Sequence, residues 1–181
     1  MPYYYPIDFR FAYEPRAQSF VEFASVYKDS FEILMETFVN QGAIHYFSLA
    51  PLAMLLIHYV ELSLKGVILY CRYGNLRSVA LDDEDLGKHN LRMLYQKAVA
   101  EVKKRFGNSG AANAEAERFI LSLGDFDRMS QAFRYPEDRK GQPFGFAAMD
   151  DWLYERLCTI PGLDDISKKV IGDIESLVGY V

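Results

Sequence analysis

LAPLAMLLIHYVELSLKGVILY, residues 49–70, is the stretch on which the fold turns. As a helix it is long enough to span a bilayer. His58, Glu61 and Lys65 sit inside it, however, and ionisable groups at a bilayer centre are expensive. The same composition suits the central helix of a bundle, with neighbours around most of its surface. Pro51 fits a first turn or a kink, and Gly74 and Asn75 close the segment. The helix is expected to begin near residue 43 or 50 and to run to about residue 72.

An α-helix turns by about 100° per residue. With His58 at zero, Glu61 falls at about −60°, Lys65 at about −20° and Arg72 at about −40°. The four share one narrow stripe, while Leu55, Leu56, Ile57, Tyr59, Val60 and their like fill the other faces. Three readings fit. The stripe is the helix's one solvated face, with Glu61 and Lys65 an ordinary pair one turn apart, worth a few tenths of a kcal/mol. Or it lines a cleft in which Glu61 orients Lys65 and His58 exchanges a proton near neutral pH. Or it is a self-association face.

Upstream, residues 17–39 repeat apolar side chains at helical spacing, with Phe20, Phe23, Ala24, Tyr27, Phe31, Leu34 and Phe38 forming one inward stripe. Before them, MPYYYPIDFRFAYEP interleaves aromatic rings with Pro2, Pro6 and Pro15. Proline fixes its own backbone angle and lacks an amide donor, so this segment reads as an extended arm lying over its own core or over a partner subunit. It has neither the apolar run nor the cleavage site of a signal peptide.

Downstream, LRSVALDDEDLGKHN reads as a loop, and its acids at 82–85 lack the glycine and spaced ligands of a calcium loop. A helix is expected over 89–106, with Leu91, Leu94, Ala98 and Val102 inward and Lys97, Glu101, Lys103 and Lys104 toward water. GNSGAANA is a linker. A fourth helix covers about 111–133, with Phe119, Leu123, Phe126 and Met129 inward and Gly124 a mild defect. Pro136, Gly141, Pro143 and Gly145 make residues 134–148 irregular. A short helix is expected over 150–157, with a strand at 152–154 as the alternative. Pro161-Gly162 reads as a turn, and the last helix starts on Asp164 or Asp165 as cap, with Ile166, Val170, Ile174, Leu177 and Val178 inward. The sum is an all-α bundle of about five main helices, one domain over 1–181.

Composition bounds the chemistry. Net charge is −5 and the isoelectric point about 5.2, with no strongly basic footprint. Cys71 and Cys158 make no disulfide framework, and with His45, His58 and His89 the only histidines, a dedicated zinc site is not expected. No GxGxxG, phosphate-loop, HExxH, GxSxG or CxxC motif occurs. The expectation is a soluble cytoplasmic domain with no metal, no cofactor and no membrane partner.

Two further places carry candidates. His89 comes after Gly87 and Lys88 at a helix start. It packs at the helix entrance, or it meets an anion or the polar stripe. Arg134 and Tyr135 precede Pro136. Arginine suits bidentate recognition of phosphate or carboxylate, or it satisfies carbonyls at a helix end.

Taken in order, an apolar helix with Glu61-x-x-x-Lys65, then Gly-Lys-His-Asn-Leu at 87–91 leading to Leu94, then Phe-Arg-Tyr-Pro at 133–136, resembles HEPN domains. These higher eukaryote and prokaryote nucleotide-binding domains are helical bundles that carry ELxLK, GHxLxxL and, in some branches, RYP motifs. The resemblance covers roughly residues 50–140. It implies a compact bundle, commonly a homodimer, associated with RNA cleavage or nucleotide handling in toxin–antitoxin and phage-defence systems. The family's active ribonucleases place an arginine shortly before a histidine, and no histidine here has one at that spacing. That speaks against ribonuclease activity. The residues that match are Glu61, Lys65, His89, Arg134 and Tyr135. By the resemblance Lys65, His89 and Arg134 would contact phosphate, Glu61 would position Lys65, and Tyr135 would stack or donate a hydrogen bond. The expected function is binding of a nucleotide or RNA-related anion. The alternative is a non-catalytic dimerisation or partner-binding module, antitoxin-like or scaffold.

Overall fold

The computed structural model describes residues 17–41, 49–74, 87–107, 113–126 and 150–179. The aromatic arm, the acidic run at 82–85, Arg134, Tyr135 and the segment 134–148 lie outside the described residues. Within them the chain is an all-α bundle of six helices with no strand. They are α1 (Ala17–Gln41), α2 (Leu49–Tyr73), α3 (Leu91–Phe106), α4 (Ala114–Phe126), α5 (Asp151–Cys158) and α6 (Ile160–Val178).

α2 is the axle. Leu52, Leu56, Leu64, Val67 and Ile68 are sealed from solvent on its several sides. Of the span apolar enough to cross a membrane, 78% is buried within the protein, so its apolar length serves as core. Burying a side chain of this size contributes about 1.5–3 kcal/mol. α1 lies along α2 through Ala24, Phe31 and Met35, with Tyr27, Leu34 and Phe38 at the margin. Phe23, expected inward, is instead 46% exposed. It sits about 80° round the helix from Phe31.

Cross-helix bonds fix the directions. Glu61 of α2 meets His89 just before α3, and Arg72 of α2 meets Glu101 near the end of α3. Both partners advance together, so α2 and α3 run parallel, offset by the chain between them. Arg105 then closes the far end by donating to the carbonyls of Tyr70 and Cys71, at 2.6 and 3.0 Å. This satisfies acceptors that a helix C-terminus leaves open. Glu101, expected in water, is drawn to the α2–α3 seam by Arg72. α4 returns antiparallel to α3, with Arg92 gripping Asp125 by two 2.7 Å bonds.

α6 starts earlier than its aspartates suggest. Thr159 is the cap, accepting from the Gly162 amide at 3.1 Å, and Pro161 falls in the first turn rather than in a separating turn. Proline is tolerated there because the first amides have no helical acceptor. Asp164 and Asp165 are left to pair one turn on with Lys168 and Lys169. Ile166, Val170, Ile174 and Leu177 face the core. α5 is a helix, capped by Asp150 accepting from the Leu153 amide at 2.8 Å, so the strand alternative is excluded.

Candidate functional site

Glu61 and Lys65 lie one turn apart on α2, the spacing that puts two side chains side by side. They are 3% and 4% exposed. Lys65 Nζ donates to Glu61 Oε1 at 2.8 Å. The solvated-face reading of the polar stripe is therefore overturned. Packing around α2 turns what reads as a surface ion pair into a buried one. Two such charges persist in the interior because each neutralises the other; breaking a buried pair costs about 3–5 kcal/mol.

His89 completes the group. Its Nδ1 stands 2.9 Å from the same Glu61 Oε1, and its side chain is 48% exposed. An ionised carboxylate only accepts hydrogen bonds, so Nδ1 carries the hydrogen in this contact. The carboxylate thereby fixes the ring's orientation and tautomer. Nε2 lies on the other edge of the ring. The imidazole spans from a dry carboxylate to the surface, and exposed Lys88 is its neighbour in sequence.

The other oxygen of Glu61 stands out. Oε2 is buried and has no hydrogen-bond partner among the described residues. Leaving a buried acceptor without a donor costs about 1–3 kcal/mol. One carboxylate oxygen thus takes two donors while the other takes none.

The next residue in the chain holds His89 in place. Asn90 caps α3, accepting from the Met93 amide at 3.0 Å, and its Nδ2 donates to the Gly124 carbonyl at 3.2 Å. The backbone of α4 comes so close here that a Cβ on Gly124 would lie 2.4 Å from the Arg92 amide nitrogen. The glycine that reads as a helix defect is the residue that lets α4 seat on the first turn of α3. Asn90 was visible in the sequence as an asparagine directly before an apolar-periodic run, the usual sign of a helix start.

The structure divides the rest of the stripe. His58 leaves the group and packs its ring on Tyr27 of α1, centroids 5.1 Å apart and tilted by 50°. Arg72 goes to Glu101, Nε to Oε1 at 2.9 Å. Among the described residues, then, Glu61, Lys65 and His89 converge. Arg134 and Tyr135 lie outside those residues.

A second buried carboxyl escaped the sequence reading. Asp173 of α6 is 5% exposed; Oδ2 accepts from the Tyr95 hydroxyl and Oδ1 from the Asn113 amide, each at 2.8 Å. It ties α3, α6 and the start of α4 together. Its sequence signal is an acid between Val170 and Ile174 on an otherwise apolar face, the same signal that marks Glu61. Burial pushes the Tyr95 phenol well up, reinforced by its bond to Asp173 and by that residue's charge. Cys71 is buried, and burial raises its thiol too, which makes it a small hydrophobe rather than a nucleophile. Among the described residues no group of three or more His, Cys, Asp or Glu side chains is arranged to hold a metal ion.

Compared with protein-family models, curated proteins and solved structures, the chain gives no match.

Proposed function

We propose that this chain binds the phosphate of a nucleotide or of RNA at His89, with Glu61 as its positioning residue and Lys65 as the buried counter-charge. The observation that carries the reading is the half-exposed His89 ring, held at Nδ1 by a buried carboxylate. The HEPN-like order of the Glu61/Lys65, His89 and Arg134/Tyr135 motifs supports it from the sequence.

The charges of Glu61 and Lys65 cancel. With neutral His89 the group has no net charge; with the imidazolium it has one positive charge, and both ring nitrogens donate. Nδ1–H stays on Glu61, and Nε2–H meets an anionic oxygen. A charge-assisted bond of this kind is about twice as strong as a neutral one. The reading contains no nuclease step, because the family's Arg–His spacing is missing.

The test is a titration of the full chain with adenosine monophosphate and with a short single-stranded RNA, monitored by NMR of the histidine rings. Saturable shifts of the His89 ring are expected, lost in His89→Ala while the helical circular dichroism is kept. Absence of any His89 shift with both ligands contradicts the reading.

A further inference from the structure

Trp152, the one tryptophan of the chain, lies half-buried in the first turn of α5. Two guanidinium groups are drawn to its ring. Arg118 Cζ of α4 sits over it at 4.0 Å from the ring centroid, and Arg156 Cζ of α5 at 4.5 Å. The negative face of an indole attracts each cation. Two like charges at one ring also repel each other, so the pair calls for counter-charge.

The fold supplies it unevenly. Arg156 Nη2 stands 3.4 Å from Glu115 Oε1 and Nη1 3.7 Å from Glu155 Oε2, long beside the 2.7–2.9 Å or so of a strong charge-assisted bond. Glu115 is held more closely by Lys169, which also holds Asp165. Arg156 Nε is buried with no acceptor among the described residues. Arg118 is exposed and has neither a hydrogen bond nor an ion pair among them. The other described arginines are taken: Arg72 by Glu101, Arg105 by two carbonyls, and Arg92 by Asp125 through two 2.7 Å bonds.

We infer that Arg118, stacked on Trp152, is a seat for a carboxylate brought by a ligand or by an acidic side chain of another protein. Stacking holds a side chain that would otherwise sample many rotamers, so the fork is pre-organised and loses little entropy on binding. With its flat side on the ring, the guanidinium keeps its N–H edge for two parallel bonds to one planar anion. Arg92 and Asp125 display that geometry within this chain. The surrounding charge selects a monoanion. Arg118, Arg156 and Lys169 are already balanced by Glu115, Glu155 and Asp165, so a phosphate dianion meets repulsion that a carboxylate halves. The seat lies on α4 and α5 and shares no residue with the Glu61, Lys65 and His89 group, so it does not depend on the phosphate reading.

The test is NMR of the full chain, read at the single indole N–H signal of Trp152 and at Arg118 Nε–H. At constant ionic strength it is titrated with acetate, with a blocked pentapeptide carrying one central glutamate, with the glutamine version of that peptide, and with inorganic phosphate. Saturable shifts are expected with acetate and the glutamate peptide. Arg118→Gln and Arg118→Lys should each weaken binding about threefold or more, the lysine because it keeps the charge and loses the fork. Arg118 is exposed, so both variants should keep the helical spectrum. The glutamate peptide binding more tightly than acetate supports the seat and makes its occupant a protein side chain; equal binding supports it with a free carboxylate as occupant. No saturable shift, equal binding of the glutamate and glutamine peptides, phosphate binding more tightly than acetate, or Arg118→Lys binding as well as the wild type overturns the inference.

Discussion

Two carboxyl groups are buried to nearly the same degree, and they are finished differently. Asp173, 5% exposed, has one donor on each oxygen, and both donors come from the fold itself. Glu61, 3% exposed, has two donors on Oε1 and none among the described residues on Oε2. One of those two donors belongs to a half-exposed imidazole. A saturated buried carboxyl is a fastener. An unsaturated one keeps a buried acceptor without a donor, at a cost of about 1–3 kcal/mol that the ion pair with Lys65 must offset. Burial alone therefore does not distinguish the two carboxyls, whereas the count of donors does.

The largest expected effect lies at Glu61. Glu61→Ala strands Lys65 in the interior and should lower stability by about 3–5 kcal/mol in urea unfolding. Glu61→Leu/Lys65→Met removes both charges and should recover most of that loss, because a well-packed apolar pair often matches or exceeds a buried ion pair. A double variant as unstable as the single one would mean that the two charges do not balance each other.

At the saturated carboxyl the effect is smaller. Tyr95→Phe leaves one oxygen of Asp173 without its donor and should cost about 1–3 kcal/mol. The same site sets an alkaline limit. The Tyr95 phenol is raised above its ordinary value in the folded chain, as is that of Tyr59, both chiefly by burial. A raised value means that the contribution is complete below the unfolded value of about 10 and is lost as pH climbs past it toward the folded value. Tyrosinate absorbance from these two rings should rise only together with loss of helical signal. Ionisation of both rings in a folded chain would contradict their placement.

His89→Ala comes next, with about 1 kcal/mol or less in stability, because half of the ring is already in water, and with loss of phosphate binding. Equal losses in stability and binding would return His89 to a packing role. The smallest effect belongs to the surface network, in which Lys169 bonds Glu115 and Asp165 and Arg156 reaches Glu115. Lys169 holds both carboxyls below their usual range, first through its hydrogen bonds. Their contribution is present above the unfolded carboxylate range and lost as pH falls through the lower folded values. Lys169→Ala should flatten the acid side of the stability profile slightly, and salt should erase the difference.

How much of this was legible in the sequence depends on distance along the chain. The core of α2 was readable because its periodicity is local, and so were the inward rows of α3 and α6. Glu61 and Lys65 were readable as neighbours because one turn of helix separates them. That they are dry was not readable, since what packs around α2 is contributed by residues distant in sequence. The link from Glu61 to His89 has the same character. Phe23 misled because a residue 80° off the buried line still looks periodic, and Thr159 was passed over because Pro161-Gly162 resembles a turn more than a first helical turn. Asp173 was missed as a lone acid in an apolar row, although Glu61 was noticed for that very pattern.

The ring of His89 gives the most direct reading of whether Glu61 holds it. Nitrogen NMR of the imidazole resolves which ring nitrogen carries the hydrogen, in the wild-type chain and in Glu61→Leu/Lys65→Met, where the charged pair and the acceptor for Nδ1–H are both gone. The account predicts an Nδ1–H tautomer for His89 in the wild type and its loss in the variant, with the fold intact in both. An Nε2–H tautomer in the wild type, unchanged by the substitution, would show that the carboxylate does not orient the ring, and would leave Glu61 and Lys65 as an ion pair and nothing more.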